Sequence, residues 1–392
     1  MAFEFIRKQL DAKSEQGLHR ALKTINSDHD AVVEIQGKHY LNFASNDYLG
    51  LRQHGDVLQS YAEGLSLYGA GSGASPLVSG HYDACDSLQA ALCELVNKPS
   101  AVLFSSGFAA NQAICQVMLA PSTTSSNDVA IVADKLMHAS FIDGCLAHQK
   151  QFSRFRHNDV SHAESLLAAA KNENKLLVSE GVFSMDGDQA PIDALVALRN
   201  TRQDTWLMLD QAHSFGVVGE DGCGVNNSYD GVDLVMGTFG KALGTQGAFI
   251  AGSEEFIDYI KNFARHYIYS TGLSPASAVA TLTALQLMQK GSFRQKLDEN
   301  INTFRRLALG KGIGLSDSIT PIQTLILKRP EAVLLAQEKL MELGILVSAI
   351  RYPTVPKNTD RLRIAISAQH QYEDLVAIVD ALALVSEAME TL

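Results

Sequence analysis

Two short apolar runs in the middle of the chain each lead to side chains that can do chemistry. The run 206–209 ends at Asp210, with His213 just after it, and the run 234–236 leads to Lys241 in a glycine-rich stretch. Runs of this length are too short for a helix and are typical of strands buried on both faces of a parallel sheet. Open α/β sheets bind ligands outside the carboxyl ends of their strands. We therefore expect Asp210, His213 and Lys241 to meet at one ligand site.

The chemistry that these side chains fit is that of pyridoxal phosphate. Lysine forms a Schiff base with a carbonyl, and this cofactor also needs an acid that keeps its pyridine nitrogen protonated. Lys241 and Asp210 supply both groups. Taken singly, Asp210 could cap a helix and Lys241 could be a surface charge on a glycine-rich loop. The two together, with His213 close by in sequence, favour the cofactor site.

Two nucleotide-binding motifs can be excluded at the glycine-rich stretches. A P-loop ending at Lys241 would need a glycine in place of Val235 and a serine or threonine in place of Ala242. A dinucleotide fingerprint in the run 69–73 would need a third glycine where Pro76 stands. That run therefore stays a glycine-rich loop without an assigned role.

Further groups are expected at the same edge of the sheet. Three more apolar runs lie at 102–104, 129–132 and 176–178. They alternate with helical stretches, and this β-α order predicts an α/β fold with a mainly parallel sheet and right-handed crossovers. Gly107 and Phe108 precede a helical stretch whose free N–H groups could bind a phosphate, although an ordinary glycine turn is the alternative. His138 could stack on a cofactor ring, but a lone histidine is more often structural.

Smaller units are predicted at the two ends of the chain. Residues 8–24 indicate an amphipathic docking helix, and residues 31–35 and 39–43 indicate a hairpin. Ser274-Pro275 predicts the start of a long helix through about residue 290. The predicted domains are an N-terminal arm and hairpin over 1–45, a large cofactor-binding domain over 46–274 and a C-terminal α+β domain over 275–392.

Three arginines stand close together in the predicted C-terminal domain: Arg351, Arg361 and Arg363. The last two alternate with an apolar residue, so at least one of the three is expected to face a cleft. The planar guanidinium group suits a carboxylate there.

Composition limits the partners and the compartment. The 392 residues are 46% hydrophobic and 19% charged, as in ordinary globular proteins. The net charge of −11 argues against nucleic acid or an anionic membrane as a partner. The five cysteines show no C-x-x-C pair, so we predict neither disulfides nor a metal site. Because the N-terminus is charged where an export signal is apolar, and no apolar run nears the roughly 20 residues of a membrane span, we predict a cytoplasmic protein.

The chain resembles the α-oxoamine synthases, which are fold-type I pyridoxal phosphate enzymes, along almost all of its length. The matching motifs are N-D-Y-L-G-L at 46–51, S-G-F-A-A-N-Q at 106–112, H-N-D-V at 157–160, E-G-V-F-S-M-D-G-D at 180–188, Asp210 with His213, T-F-G-K at 238–241, A-R-H-Y-I-Y-S-T at 264–271 and A-I-R-Y-P-T-V-P at 349–356. So many matches in the same order are hard to explain by chance. The resemblance implies a large αβα domain with a mainly parallel sheet and a smaller C-terminal α+β domain.

The resemblance also implies roles for individual residues. The catalytic set would be Lys241 for the Schiff base, Asp210 for the pyridine nitrogen, His213 for the phenol oxygen and His138 for stacking on the ring. The cofactor would be lined by Gly107, Phe108, Ser184 and Thr238. The substrates would be met by Arg20, Asn46, His138, Thr354 and Arg363. Thr271 would reach the phosphate of the partner subunit, which implies a homodimer with shared active sites.

The reaction implied is the condensation of L-alanine with a pimeloyl thioester, with loss of carbon dioxide and the thiol, in biotin synthesis. Coenzyme A and an acyl carrier protein both stay open as the acyl carrier, and a glycine-using 2-amino-3-ketobutyrate CoA ligase is the alternative activity. A pimeloyl chain ends in a carboxylate, so its site should contain a cation. Arg20, His19 and Lys23 are candidates for that cation or for the carrier phosphates, and Arg363 is the candidate for the amino-acid carboxylate.

Overall fold

The computed structural model describes residues 2–119, 128–147, 152–225 and 231–390. Its strands are β1 (Ser27–His29), β2 (Val32–Ile35), β3 (Lys38–Asn42), β4 (Ser100–Phe104), β5 (Val129–Asp134), β6 (Phe152–Phe155), β7 (Asn174–Glu180), β8 (Thr205–Asp210), β9 (Leu234–Thr238), β10 (Ala248–Gly252), β11 (Ile322–Lys328), β12 (Ile345–Leu346), β13 (Ser348–Ile350) and β14 (Asp360–Ala365). Its helices are α1 (Glu4–Glu15), α2 (Gly55–Tyr68), α3 (Asp83–Leu95), α4 (Gly107–Leu119), α5 (Ala139–Leu146), α6 (Val160–Ala169), α7 (Ile192–Asn200), α8 (Glu254–Phe263), α9 (Arg265–Ile268), α10 (Pro275–Gln289), α11 (Ser292–Gly310), α12 (Pro330–Glu342) and α13 (Tyr372–Glu390).

Within these ranges, seven strands form the central sheet in the order β4-β10-β9-β8-β7-β5-β6. The strands β5 to β9 are parallel, and β10 runs antiparallel between β4 and β9. The predicted α/β fold with a mainly parallel sheet is confirmed. The sequence prediction missed β6 and β10. β6 is an edge strand whose apolar pattern is broken by Ser153 and Arg154. β10 contains the four-residue apolar run 248–251, which the sequence prediction overlooked.

Helices cover both faces of this sheet. Alternate side chains of a strand point to opposite faces, and apolar side chains on both faces pack against helices. In β7, Leu177 packs in the core under α3, α6, α7 and α10, whereas Leu176 and Val178 pack in the core under α4, α5 and α8. The run 206–209 lies in β8 as predicted, except that Trp206 is partly exposed. Two apolar cores therefore hold the sheet between helical layers.

The helix predicted over 8–24 is wrong in both bounds. α1 begins at Glu4 and ends at Glu15, and none of its residues is buried. Gly17 follows with a φ of 64°, the left-handed conformation with which glycine commonly ends a helix. Arg20 therefore lies beyond the helix, in a segment without regular structure.

One small sheet joins strands from the N-terminal part of the chain to β12 from its C-terminal part. The predicted hairpin is confirmed as the antiparallel pair β2 and β3, and β3 pairs in parallel with β12. A second small sheet has the order β11-β14-β13.

The predicted helix after Ser274 is confirmed as α10, which packs along α2 and α3. The domain boundaries expected after residues 45 and 274 stay a prediction. Among the described residues, no helix has the length and apolar character needed to cross a membrane.

Candidate active site

The carboxyl ends of the parallel strands bring the predicted catalytic groups to one edge of the sheet. Glu180 at the end of β7, Asp210 at the end of β8 and Met236 in β9 lie side by side in register. β9 ends at Thr238, and Lys241 follows in a tight turn closed by a hydrogen bond from Gly244 N to the Lys241 carbonyl (2.9 Å). Asp210 and Lys241 are therefore neighbours although a whole crossover separates them in sequence.

Asp210 is buried and held by donors from two elements. Asn111 Nδ2 in α4 donates to Asp210 Oδ2 at 3.0 Å, and the backbone N–H of Ala212 donates to Oδ1 at 2.9 Å. Asn111 Nδ2 also donates to Ser140 Oγ at 3.0 Å, which lies 2.8 Å from His138 Nδ1. This network fixes the carboxylate relative to the imidazole. A carboxylate so held can accept a hydrogen bond from a protonated pyridine nitrogen.

His138 stands at the start of α5, where its Nδ1 accepts from the backbone N–H of Ser140 at 3.3 Å. Burial lowers the pKa of His138, and the negative charge of Asp210 opposes that shift. The structure thus brings His138 to the Asp210 side of the site. A neutral imidazole held there is able to stack on an aromatic ring.

His213 is buried in the turn after β8 and has a defined orientation. Its Nδ1 lies 2.7 Å from the hydroxyl of Tyr48. Burial lowers the pKa of His213 well below its usual range, and Lys241, Arg363 and His138 add to this effect. In the neutral imidazole that accepts from Tyr48, the proton resides on Nε2. His213 can therefore donate from Nε2 to an oxygen such as a phenolate.

Lys241 is placed as a nucleophile rather than as a surface charge. Its Nζ donates to Thr238 Oγ1 at 3.2 Å. Burial lowers the pKa of Lys241, although the carboxyl groups of Asp210 and Glu180 oppose the shift. A lysine with a lowered pKa has a larger neutral fraction, as Schiff-base chemistry requires. Gly244, with a φ of 66°, closes the turn where a Cβ would come within 2.3 Å of the Arg52 backbone nitrogen.

The start of α4 approaches the end of β9 closely. A Cβ on Gly107 would lie 2.6 Å from Cγ2 of Thr238, so a larger residue would push the two elements apart. Phe108 in the first turn is half-exposed, and Ser106 Oγ accepts from the backbone N–H of Ala109 at 3.2 Å. The N–H groups of a helix start favour an anion. Gly107, Phe108 and Thr238 are thus brought together where a phosphate could bind.

Arg363 connects β14 to the site. Its Nε donates to the carbonyl of Ser184 at 2.7 Å, and its Nη2 donates to Asn46 Oδ1 at 3.1 Å and to the Tyr48 hydroxyl at 3.2 Å. Arg363 is buried, and its charge is felt by both Lys241 and His213. The structure therefore unites Asn46, Ser184 and Arg363 with the Lys241 group. A guanidinium in this place can bind a substrate carboxylate.

Arg20 and Thr354 lie together in a different place. They line a cleft of about 550 Å³ between the N-terminal arm and the loop after β13, and Lys13, His19 and Arg351 also line it. Arg351 Nη1 donates to the carbonyl of Gly17, which attaches the arm to the loop. The cleft is rich in cations although the whole chain is acidic.

Thr271 is exposed in a turn that packs on the glycine-rich loop. Gly272 N donates to the Ala74 carbonyl at 2.9 Å, and Ser72 Oγ donates to the Gly272 carbonyl at 2.9 Å. The loop 69–73, which had no role from sequence, thus supports this turn. The role of Thr271 across a dimer interface stays a prediction.

Three site residues were missed in the sequence analysis as individual functional groups: Tyr48, Asn111 and Glu180. Tyr48 and Asn111 lie inside motifs that carried the family resemblance, but their contacts with His213 and Asp210 depend on tertiary packing. Glu180 carried a usable signal, because it follows the apolar run 176–178 much as Asp210 follows the run 206–209.

The family model described as aminotransferase class I and II matches residues 38–382. This chain belongs to that family. Within it, two similar proteins are 8-amino-7-oxononanoate synthases. The one from Vibrio atlanticus is 40% identical over 378 residues, which cover 96% of this chain and 92% of the relative. The one from Methylococcus capsulatus is 42% identical over 370 residues, which cover 93% of this chain and 94% of the relative.

Solved structures of class I and II family members share the fold. A serine palmitoyltransferase from S. paucimobilis with a bound PLP–myriocin aldimine superposes with a TM-score of 0.90 at 25% identity, covering 100% of this chain and 98% of that chain. An 8-amino-7-oxononanoate synthase from Francisella tularensis gives a TM-score of 0.75 at 30% identity, covering 90% and 98%. The predicted fold-type I architecture and α-oxoamine synthase resemblance are confirmed. The chain is a pyridoxal phosphate-dependent enzyme of the acyltransferase type.

The groups present fit this cofactor of the class I and II family. A fixed carboxylate at Asp210 suits the pyridinium nitrogen, and a half-buried lysine with a lowered pKa suits the aldehyde carbon. The N–H donor of neutral His213 suits the phenol oxygen. The backbone N–H groups at the start of α4, where Gly107 begins the helix, suit a phosphate.

Proposed function

We propose that the enzyme condenses L-alanine with a pimeloyl thioester to give 8-amino-7-oxononanoate, carbon dioxide and the free thiol, a step of biotin synthesis. The relatives named 8-amino-7-oxononanoate synthase support this choice within the family. One structural observation carries it further. The chain has two separate cationic sites. The proposed substrates have two carboxylates to be recognised, one on alanine and one at the end of the pimeloyl chain.

The first cationic site is the buried Arg363 beside Lys241, which we assign to the carboxylate of alanine. The second is the cleft with Arg20, Arg351 and Thr354, which we assign to the acyl substrate. An acetyl thioester has no carboxylate at the end of its acyl chain. In an acidic protein, several cations in one cleft fit an anionic group of the acyl substrate, which is either the terminal carboxylate of the acyl chain or the carrier phosphates.

Pyridoxal phosphate, when bound, supplies the electron sink that stabilises a carbanion at Cα of the amino acid. In our proposal, Asp210 holds the proton on the ring nitrogen, and His213 donates from Nε2 to the phenol oxygen. His138 stacks on the ring, while Gly107, Phe108, Ser184 and Thr238 line it. Lys241 Nζ removes the Cα proton, which a lysine with a lowered pKa can do near neutral pH.

We further propose that two copies of the chain form a dimer with shared sites, in which Thr271 reaches the phosphate bound by the partner subunit. The exposure of Thr271 and of half of Phe108 supports this arrangement. We place the enzyme in the cytoplasm. Cys85, Cys93, Cys115 and Cys145 form no disulfide bond among the described residues, as suits a reducing compartment.

The test is turnover of alanine and glycine against acetyl, fatty acyl and pimeloyl thioesters, the last on coenzyme A and on an acyl carrier protein. We expect alanine and a pimeloyl thioester to give the highest kcat/KM. Preference for glycine with an acetyl thioester would instead establish a 2-amino-3-ketobutyrate CoA ligase and reject the proposal. The two pimeloyl carriers identify which thioester is used.

Two arginine variants test the assignment of the two carboxylates. Arg363→Ala is expected to lower kcat/KM for alanine, and Arg20→Ala that for the pimeloyl thioester, each about 10- to 100-fold for one charge-assisted hydrogen bond. Arg7→Ala is the matched control, because Arg7 is an exposed cation of α1 that does not line the cleft. Unchanged kinetics in Arg20→Ala would contradict the acyl assignment and leave that of the cofactor intact.

A further inference from the structure

A second carboxyl group lies beside Asp210 at the edge of the sheet. Glu180 ends β7 and pairs in register with Asp210 at the end of β8. In-register residues of neighbouring strands direct their side chains to the same face of a sheet. Both residues are buried, with 3% of the surface of each exposed. The mechanism above uses Asp210 and gives no task to Glu180.

The two carboxyl groups have unequal sets of donors. Asp210 accepts at both oxygens, from Asn111 Nδ2 and from the backbone N–H of Ala212. Glu180 accepts from the backbone N–H of His138, whereas its Oε1 has no hydrogen-bond partner among the described residues. Donors stabilise the ionised form of a carboxyl group. Asp210 therefore has the more complete set of donors.

Two buried carboxylates side by side do not both ionise readily, because each disfavours the charge of the other. Burial raises the pKa of Glu180 well above its usual range, Asp210 adds to the effect, and Lys241 opposes it. A proton on Oε1 displaces no hydrogen-bond donor, because that oxygen receives none among the described residues. Burial and the charge of Asp210 thus outweigh the His138 N–H and Lys241, and they favour the protonated form of Glu180.

We propose that Glu180 is a positioning residue that works as the neutral acid. It holds the backbone N–H of His138, and so the start of α5, while Asp210 is left as the single carboxylate that faces the pyridine nitrogen. This inference rests on the proposed place of the cofactor at Asp210. It predicts that a neutral side chain of the same length and with an acceptor oxygen can replace Glu180.

The test compares Glu180→Gln with Glu180→Leu in the purified holoenzyme. Two quantities are measured: the dissociation constant of pyridoxal phosphate and the pH midpoint of its visible absorption. Glu180→Gln should keep the wild-type midpoint and a dissociation constant within about twofold, since one neutral hydrogen bond replaces another. Glu180→Leu leaves the His138 N–H without an acceptor and should weaken cofactor binding about tenfold.

Two further variants make the outcome specific. Ser179→Ala is the control for the strand, because Ser179 is fully buried next to Glu180, points to the opposite face, and its Oγ lacks a hydrogen-bond partner among the described residues. It should behave as wild type, and an effect equal to that of Glu180→Leu would overturn the inference. Asp210→Asn should shift the absorption midpoint. If it does not, the proposed place of the cofactor fails as well.

The inference alone is overturned if Glu180→Gln shifts the midpoint as Asp210→Asn does, because Glu180 would then act as a charged group. A Glu180→Leu enzyme that binds the cofactor like wild type would also overturn it. Should Glu180→Leu not fold, Glu180→Gln still decides the question, since it retains the size and the acceptor of the native side chain.

Discussion

His157 connects two parts of the site that lie far apart in sequence. Its Nδ1 is 3.0 Å from Asp134 Oδ1 at the end of β5, and its Nε2 is 2.7 Å from Asp188 Oδ2 in the loop that contains Ser184. Burial by itself lowers the pKa of His157, but the hydrogen bonds and charges of both aspartates outweigh it and raise that pKa to about 10. His157 is therefore an imidazolium clamp at neutral pH.

The size of this shift gives the stability that the clamp can supply. A rise from 6.5 to about 10 corresponds to about 5 kcal/mol at roughly 1.4 kcal/mol per pKa unit. Since 27% of the His157 side chain is exposed, screening by solvent should reduce the measured value to about 2–3 kcal/mol. A folded-state pKa above the unfolded value means that this stability is fully present below pH 6.5 and is lost as the pH rises through about 10.

We expect His157→Asn to lower the free energy of unfolding by about 2–3 kcal/mol near pH 6, and the difference from wild type to shrink towards pH 10. Urea unfolding at fixed protein and cofactor concentrations measures both effects. His81→Asn is the control, because the His81–Asp86 pair is exposed and should contribute less than about 1 kcal/mol. If the variant and the wild type lose stability in parallel from pH 6 to pH 10, the clamp is refuted.

Three further predictions concern the cofactor, the dimer and the orientation of His213. Borohydride reduction and peptide mapping should place the pyridoxyl group on Lys241, and a label on another lysine would reject that assignment. Thr271→Val should weaken cofactor retention without changing the sedimentation of the dimer, whereas a fully active monomer would contradict shared sites. Tyr48→Phe removes the hydroxyl next to His213 Nδ1 and should lower kcat/KM about tenfold, while unchanged kinetics would show that His213 does not depend on this contact.

The sequence predicted best what depends on short-range pattern. Apolar runs located β5, β7, β8 and β9, and the rule that parallel strands share a carboxyl edge was enough to bring Asp210 and Lys241 together. The polar edge strand β6 lacks that pattern, whereas β10 has it in the apolar run 248–251 and was overlooked. The predicted C-terminal bound of α1 was wrong because residues 18–23 keep a helical spacing of apolar and basic side chains, while Gly17 ends the helix through backbone conformation.

What could not be predicted depends on register and on packing between distant segments. The contact of Tyr48 with His213 spans 165 residues, and that of Asn111 with Asp210 spans 99. The separation of Arg20 from the Lys241 group has the same origin, because the arm is attached by Arg351 to the loop after β13. Motifs name the residues, whereas the fold decides which of them share a site.

The loop 182–189 shows how the amino-acid substrate can be kept in register with the cofactor. Its base is closed by the pair Val182 and Gln189, and His157 fixes it to the sheet. Its far side is bound by the side chains of Arg361 and Arg363, which donate to Asp186 and to the Ser184 carbonyl. These arginines lie on one face of β14 because strand side chains alternate. The guanidinium proposed to bind the alanine carboxylate and the serine proposed to contact the cofactor are thus joined by one hydrogen bond, and a shift of either one alone breaks that bond.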